Sequence, residues 1–170
     1  MNSALQPRHH GSERGEAIVL LLIALAVVGG IAWWLFHTRA ESQEAATAFA
    51  REAGVRLGRQ FDRKFLDVHI GPEVQTRFPA SFRDRLIEHL QRLGVAEENV
   101  EAEGDVEFTN HFFQPHGTFK VHLFYPTGMK ADLYLTVSDP HGWWQIDYAN
   151  LVWYPPGQST PAGDAALPVQ

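Results

Sequence analysis

The order of apolar and polar side chains divides this chain into four stretches. Residues 1–16 are polar and mixed in charge. Residues 17–36 carry no charged and no strongly polar side chain, from Ala17 through Leu20-Leu21-Leu22 to Leu35-Phe36. A run of that length makes about 30 Å of helix, the hydrocarbon thickness of a bilayer. Trp33 and Trp34 fall at its C-terminal edge, where indole rings favour the interface, and His37 and Arg39 follow. The pattern predicts a transmembrane helix over 17–36, with the lipid bilayer as its partner. A cleaved signal peptide is one rival reading, but its apolar core is shorter and needs a small-residue cleavage site. A prepilin-like leader is another. Arg14-Gly15 suits it, whereas Leu20 stands where such leaders place a glutamate.

Beyond residue 40 the spacing changes. Phe49, Ala53, Leu57, Phe61 and Phe65 recur every four residues and predict a helix over 41–67. Gly54 and Gly58 sit beside that stripe and allow close packing or a break. A connector over 69–78 contains Gly71-Pro72. Ser81, with Asp84 three residues on, reads as an acidic capping box opening a second helix. Phe82, Leu86, Leu90 and Leu93 form its apolar face, and Gly94 ends it.

The rest alternates with period two. Four antiparallel strands are expected over 105–113, 118–125, 131–138 and 143–154, joined by turns rich in Pro and Gly. Alternation puts Val106, Phe108, Phe119, Val121, Leu123, Leu133, Leu135, Val137, Trp144, Ile146 and Tyr148 on one face. The expected class is α+β: an N-terminal transmembrane helix, then two helices packed on one face of a four-stranded antiparallel meander. The globular domain spans 40–154. Residues 155–170, rich in Pro, Gly, Ser and Ala, read as a disordered tail.

Composition narrows the function. The 170 residues leave room for one ordinary domain and include no cysteine. That excludes a lipid-modified cysteine anchor, thiol catalysis and Cys-type zinc sites. A net charge of -6 speaks against nucleic acid as a partner. Arg51, Arg56, Arg59, Arg63 and Lys64 alternate with Glu52 and Asp62, as on a solvated helix face. Basic residues flank the apolar run on both sides, so charge asymmetry orients it only weakly. The short leader favours an uncleaved signal anchor in the plasma (inner) membrane. The domain would then face the periplasm or cell exterior.

Three kinds of site are open. Centring the first hairpin on Pro115-His116 puts His111 opposite Lys120 and brings it diagonal to His122. With Asp147 or Glu107, these histidines could hold a divalent metal such as zinc. The same polar face could instead be a pocket in which Asp147, Tyr134 and His122 supply acid and base. Trp143, Trp153, Phe113 and Phe124 fall on the face away from the helices, near Tyr134, and suggest a partner-binding surface.

A capped helix followed by a meander ending in Gly142-Trp143-Trp144-Gln145-Ile146-Asp147 resembles the NTF2-like (cystatin-like) superfamily, over about 42–154. The Gly-rich turns between short strands over 117–144 are similar to the cytochrome oxidase assembly factor Coa1 family. Both resemblances imply a membrane-anchored α+β module. The leading expectation is a non-enzymatic domain, without cofactor, that binds a protein partner at the membrane in assembly or maintenance of an envelope or respiratory complex. The alternative is an NTF2-like pocket for a small molecule or divalent metal.

Overall fold

The computed structural model describes residues 12–76, 79–108, 114–158 and 163–166. The chain divides into two units, Met1–Ala40 and Glu41–Gln170. Helix α1, Ser12–Gly58, contributes to both. In the first unit the large apolar side chains stand exposed, Leu20 at 67 % and Phe36 at 73 %. The helix is long and apolar enough to cross a membrane. Trp33 stacks on His37 with ring centroids 5.4 Å apart, and Thr38 Oγ1 donates to the Trp34 carbonyl at 2.9 Å.

The second unit is α+β. After α1 come α2 (Arg63–His69), α3 (Pro72–Gln75) and α4 (Ala80–Leu93). An antiparallel sheet follows: β1 (Glu101–Phe108), β2 (Pro115–Phe124), β3 (Lys130–Ser138), β4 (Gln145–Tyr154) and β5 (Gly163–Ala166), adjacent in chain order. The strands β1 to β4 form the expected meander. Ala46, Ala50, Ala53 and Leu57 of α1, with Leu86, Ile87 and Leu90 of α4, share one core with Phe119, Val121, Leu123, Leu133 and Leu135. The two long helices therefore cover one sheet face.

The expected helix over 41–67 is two helices. Helix α1 stops at Gly58 and Phe61 takes a left-handed φ of 52°. The Asp62 side chain then caps α2, accepting from the Phe65 amide at 3.0 Å. In a straight helix Phe49 and Phe65 would lie about 24 Å apart. The break folds them back to a ring separation of 6.0 Å. Helix α4 starts as expected but without a capping box, because Pro79 is its N-cap and Asp84 accepts from Arg63 Nε at 2.7 Å. Arg63 also pairs with Asp67, which meets Arg83 Nε at 2.9 Å, so these four charges tie α2 to α4. Burial alone would lower the Arg63 pKa; the bonds to Asp67 and Asp84 outweigh it and raise it.

The tail is also corrected. Pro155-Pro156-Gly157 makes a turn, with Gln158 N donating to the Pro155 carbonyl at 3.1 Å and Gly157 at φ 72°. Gly163–Ala166 then pairs with residues 150–153 of β4 as a fifth strand. Backbone pairing needs no apolar pattern, so hydropathy gave no sign of it.

Helix α1 meets the sheet where it has no side chain. A Cβ on Gly54 would lie 2.5 Å from Val121 Cγ1 and 2.8 Å from Val100 Cγ1. Both neighbours are β-branched and stiff. On Gly58 it would meet the flexible ends of Leu123, at 3.0 Å. Gly54→Ala should therefore lower stability by about 1–3 kcal/mol, less the gain in helix propensity, and Gly58→Ala by less. Urea unfolding of the two variants checks this, and a Gly54→Ala protein as stable as the parent would refute the close approach.

Candidate functional site

The sheet face away from α1 and α4 is polar, and register decides which residues reach it. On β2 the outward positions are the even ones: His116, Thr118, Lys120, His122 and Phe124 alternate with buried Phe119, Val121 and Leu123. On β3 Asp132, Tyr134 and Thr136 alternate with buried Ala131, Leu133, Leu135 and Val137. On β4 the parity changes midway. Val137 pairs with Ile146 but Thr136 pairs with Tyr148, so Asp147 is an extra, bulged residue. A bulge sets two residues against one and flips the facing of the residues beyond it. From there Ala149, Leu151 and Trp153 point inward, and Asn150, Val152 and Tyr154 outward.

That flip overturns the placement of Trp153. It pairs with buried Ala131 and lies 5.5 Å from the His89 ring of α4, packed against the core. Trp143 is also not on the outer face. It precedes β4 in a turn, is 44 % exposed, and sits 6.1 Å from the ring of His69, the last residue of α2. Phe124 and Tyr134 are outward as expected. Lys130 Nζ lies 5.8 Å from the Phe124 ring centre and Lys120 Nζ 5.9 Å from that of Tyr134. Phe113 and His111 lie outside the described residues.

The first hairpin has a different register from the expected one. Lys120 faces Glu103, His122 faces Glu101, and Phe108 meets Pro115. Nor are His122 and Asp147 brought together: His122 faces Asp132, which faces Val152, whereas Asp147 is bulged opposite Thr136 and Val137. His122 Nδ1 is 2.7 Å from Asp132 Oδ1, and its Nε2 is 3.6 Å from Glu103 Oε2. Asp147 lies at the other end of the face, with Oδ2 3.6 Å from His116 Nδ1 and Oδ1 3.5 Å from Gln145 Nε2. Among the described residues no group of three or more potential ligands is placed to hold a metal ion.

The centre of the face is Asp132, the one buried charged residue among those described. A carboxylate is not desolvated without partners. Its partners are His122 through Oδ1 and Lys120 Nζ at 3.0 Å from Oδ2, with the Tyr154 hydroxyl near enough to feel its charge. Accepting that bond, Asp132 raises the Lys120 pKa against the opposing effect of burial. Burial raises Tyr154, and the Asp132 charge adds to it. With Asp132 holding Nδ1, Nε2 of His122 is left toward solvent and Glu103. Lys120, Asp132 and Tyr154 were not singled out from sequence. The sign was there: Asp132 interrupts the apolar run of β3 in phase with Tyr134, and Lys120 shares the phase of His122 on β2.

Comparison with family models, with curated proteins and with solved structures finds no match.

The electrostatics set an alkaline limit. Lys120 and Tyr154 lie above their ordinary values of 10.5 and 10.0, and burial pushes Tyr125 up to about 12. For each group the folded pKa exceeds the unfolded one. The stability they confer is therefore complete below about pH 10 and is lost as pH rises through the folded values. Urea unfolding from pH 8 to 12 should show stability level to about pH 10 and falling beyond it, with a shallower fall in Tyr125→Phe. Stability that stays level to pH 12 would contradict this assignment.

Proposed function

We propose that this chain is a single-pass membrane protein whose α+β domain binds a protein partner through the open face of its sheet. The observation that carries the reading is the outer face, uncovered among the described residues, where half-exposed Phe124, Tyr134 and Tyr154 surround Asp132 while α1 and α4 occupy the other side. Aromatic and cationic groups held by a stiff sheet suit partner recognition, because little side-chain freedom is lost on binding. The exposed apolar helix supports anchoring in a membrane, and the short polar leader before it favours the plasma (inner) membrane with the domain on the extracytoplasmic or periplasmic side. Helices followed by an antiparallel meander agree with the NTF2-like order, and the anchor agrees with the Coa1-like one. On that footing the role is assembly or maintenance of an envelope or respiratory complex.

A photo-crosslinking residue at Phe124 or Tyr134 should join the full chain to one partner in native membranes. The same residue at exposed Val95 serves as the control. If neither face position gives an adduct beyond that of Val95, partner binding by this face is refuted.

Orientation has its own test. The chain has no cysteine, so Val95→Cys introduces a single thiol in an exposed position. A membrane-impermeant maleimide should label it in intact cells. Labelling only after lysis would place the domain on the cytoplasmic side.

A further inference from the structure

We infer that the open edge of β1 is a strand-addition site for an extended, cationic peptide segment, and that the side chain of Gln43 holds its place. Among the described residues strand β1 ends the sheet order, with β2 on one side only. Backbone groups on such an edge ask for partners. At the middle of β1 two of them find one side chain: Gln43 Nε2 donates to the Gly104 carbonyl at 2.8 Å, and the Val106 amide donates to Gln43 Oε1 at 2.8 Å. A primary amide here takes one acceptor and one donor two residues apart, the groups a neighbouring strand would take. Gln43 stands on α1 within the same unit and is one rotamer change from releasing both.

The side chains of β1 say what would be added. Glu101, Glu103, Asp105 and Glu107 are all exposed and alternate along the strand, with the smaller Ala102, Gly104 and Val106 between them. Register puts the four carboxylates in the outer row, against His122, Lys120, Thr118 and His116 of β2. Asn99 Nδ2 donates to Glu101 at 3.1 Å and His122 lies 3.6 Å from Glu103. Residues facing across a strand pair interact directly, opposite charges attracting and like charges repelling. A second β1 is therefore a poor neighbour. A strand with Lys or Arg at every second position is a good one. This surface is the sheet edge, and the inference does not depend on the partner proposed for the face.

The test uses the full chain in zwitterionic detergent and three synthetic peptides: alternating Lys and Val, alternating Glu and Val, and alternating Lys and Pro. The Lys–Pro peptide keeps the charge but lacks the amide N–H at every second position. The Lys–Val peptide should bind with amide shifts at Gly104 and Val106, the Glu–Val peptide should not, and Lys–Pro should bind at least tenfold more weakly. Gln43→Ala removes the competing amide and should tighten Lys–Val binding by roughly tenfold. Glu103→Lys with Asp105→Lys leaves Gln43 in place and should abolish it, so the inference stays testable if Gln43→Ala does not fold. Equal binding of Lys–Val and Lys–Pro, shifts away from β1, undiminished binding by the double lysine variant, or no tightening in folded Gln43→Ala would each overturn it.

Discussion

The domain depends on how closely the C-terminal part of α1 lies on the sheet. Ala46, Ala50, Ala53 and Leu57 are all buried there, with Gly54 and Gly58 at the contact with Val121 and Leu123. Small residues bring the helix axis near the strands, and the larger side chains of β2 and β3 fill the space beneath. The glycines weaken the helix by about 1 kcal/mol each. Close packing of the helix on the sheet offsets that. It also lets the same helix carry Gln43 to the edge of β1, since a more distant helix would leave that amide short of the Gly104 carbonyl.

Much of this architecture could be read from the chain. The apolar run, the stripe on α4, its Gly94 stop and the inward faces of β2 and β3 follow from residue spacing alone. The errors share a cause: a periodic pattern shows which residues are buried but not where the backbone breaks phase. Phe49 and Phe65 fit one helical stripe, yet they meet across the turn at Phe61. Trp144, just before β4, and Ile146 on it keep even parity whereas Ala149, Leu151 and Trp153 keep odd parity. That change within the strand was the visible trace of the bulge at Asp147. Missing it put Trp153 on the wrong face. The hairpin register of β1 was beyond reach for another reason: its acidic row and its glycine give almost no hydrophobic contrast to fix pairing.

The outer face is organised around a charge that is expensive to bury. Asp132 is kept by Lys120 and His122 of β2, with the Tyr154 hydroxyl of β4 within reach of its charge. Removing either β2 partner would leave the carboxylate short of a bond, so the cluster fixes side-chain positions on β2 and β3 together. Phe124 and Tyr134 stand beside it, with Lys130 and Lys120 near their ring faces. An open sheet surface is ordinarily mobile at the level of side chains. Here the central ones are held by charge, which suits a surface that must present one shape.

The two flanks of the β1–β4 meander are treated unequally. On β4, β5 covers residues 150–153, and nearer its start Ile70 forms a bridge with Ile146. Both are backbone pairings, replaceable only by moving a segment of chain. The middle of β1 is met instead by one glutamine side chain, which can leave without disturbing any strand. An edge closed by backbone resists addition. An edge closed by a side chain admits it when the incoming segment gains more than the two bonds it displaces. The carboxylate row of β1 sets that condition by sign of charge: it repels acidic strands and copies of itself and leaves cationic strands as the ones that can gain enough.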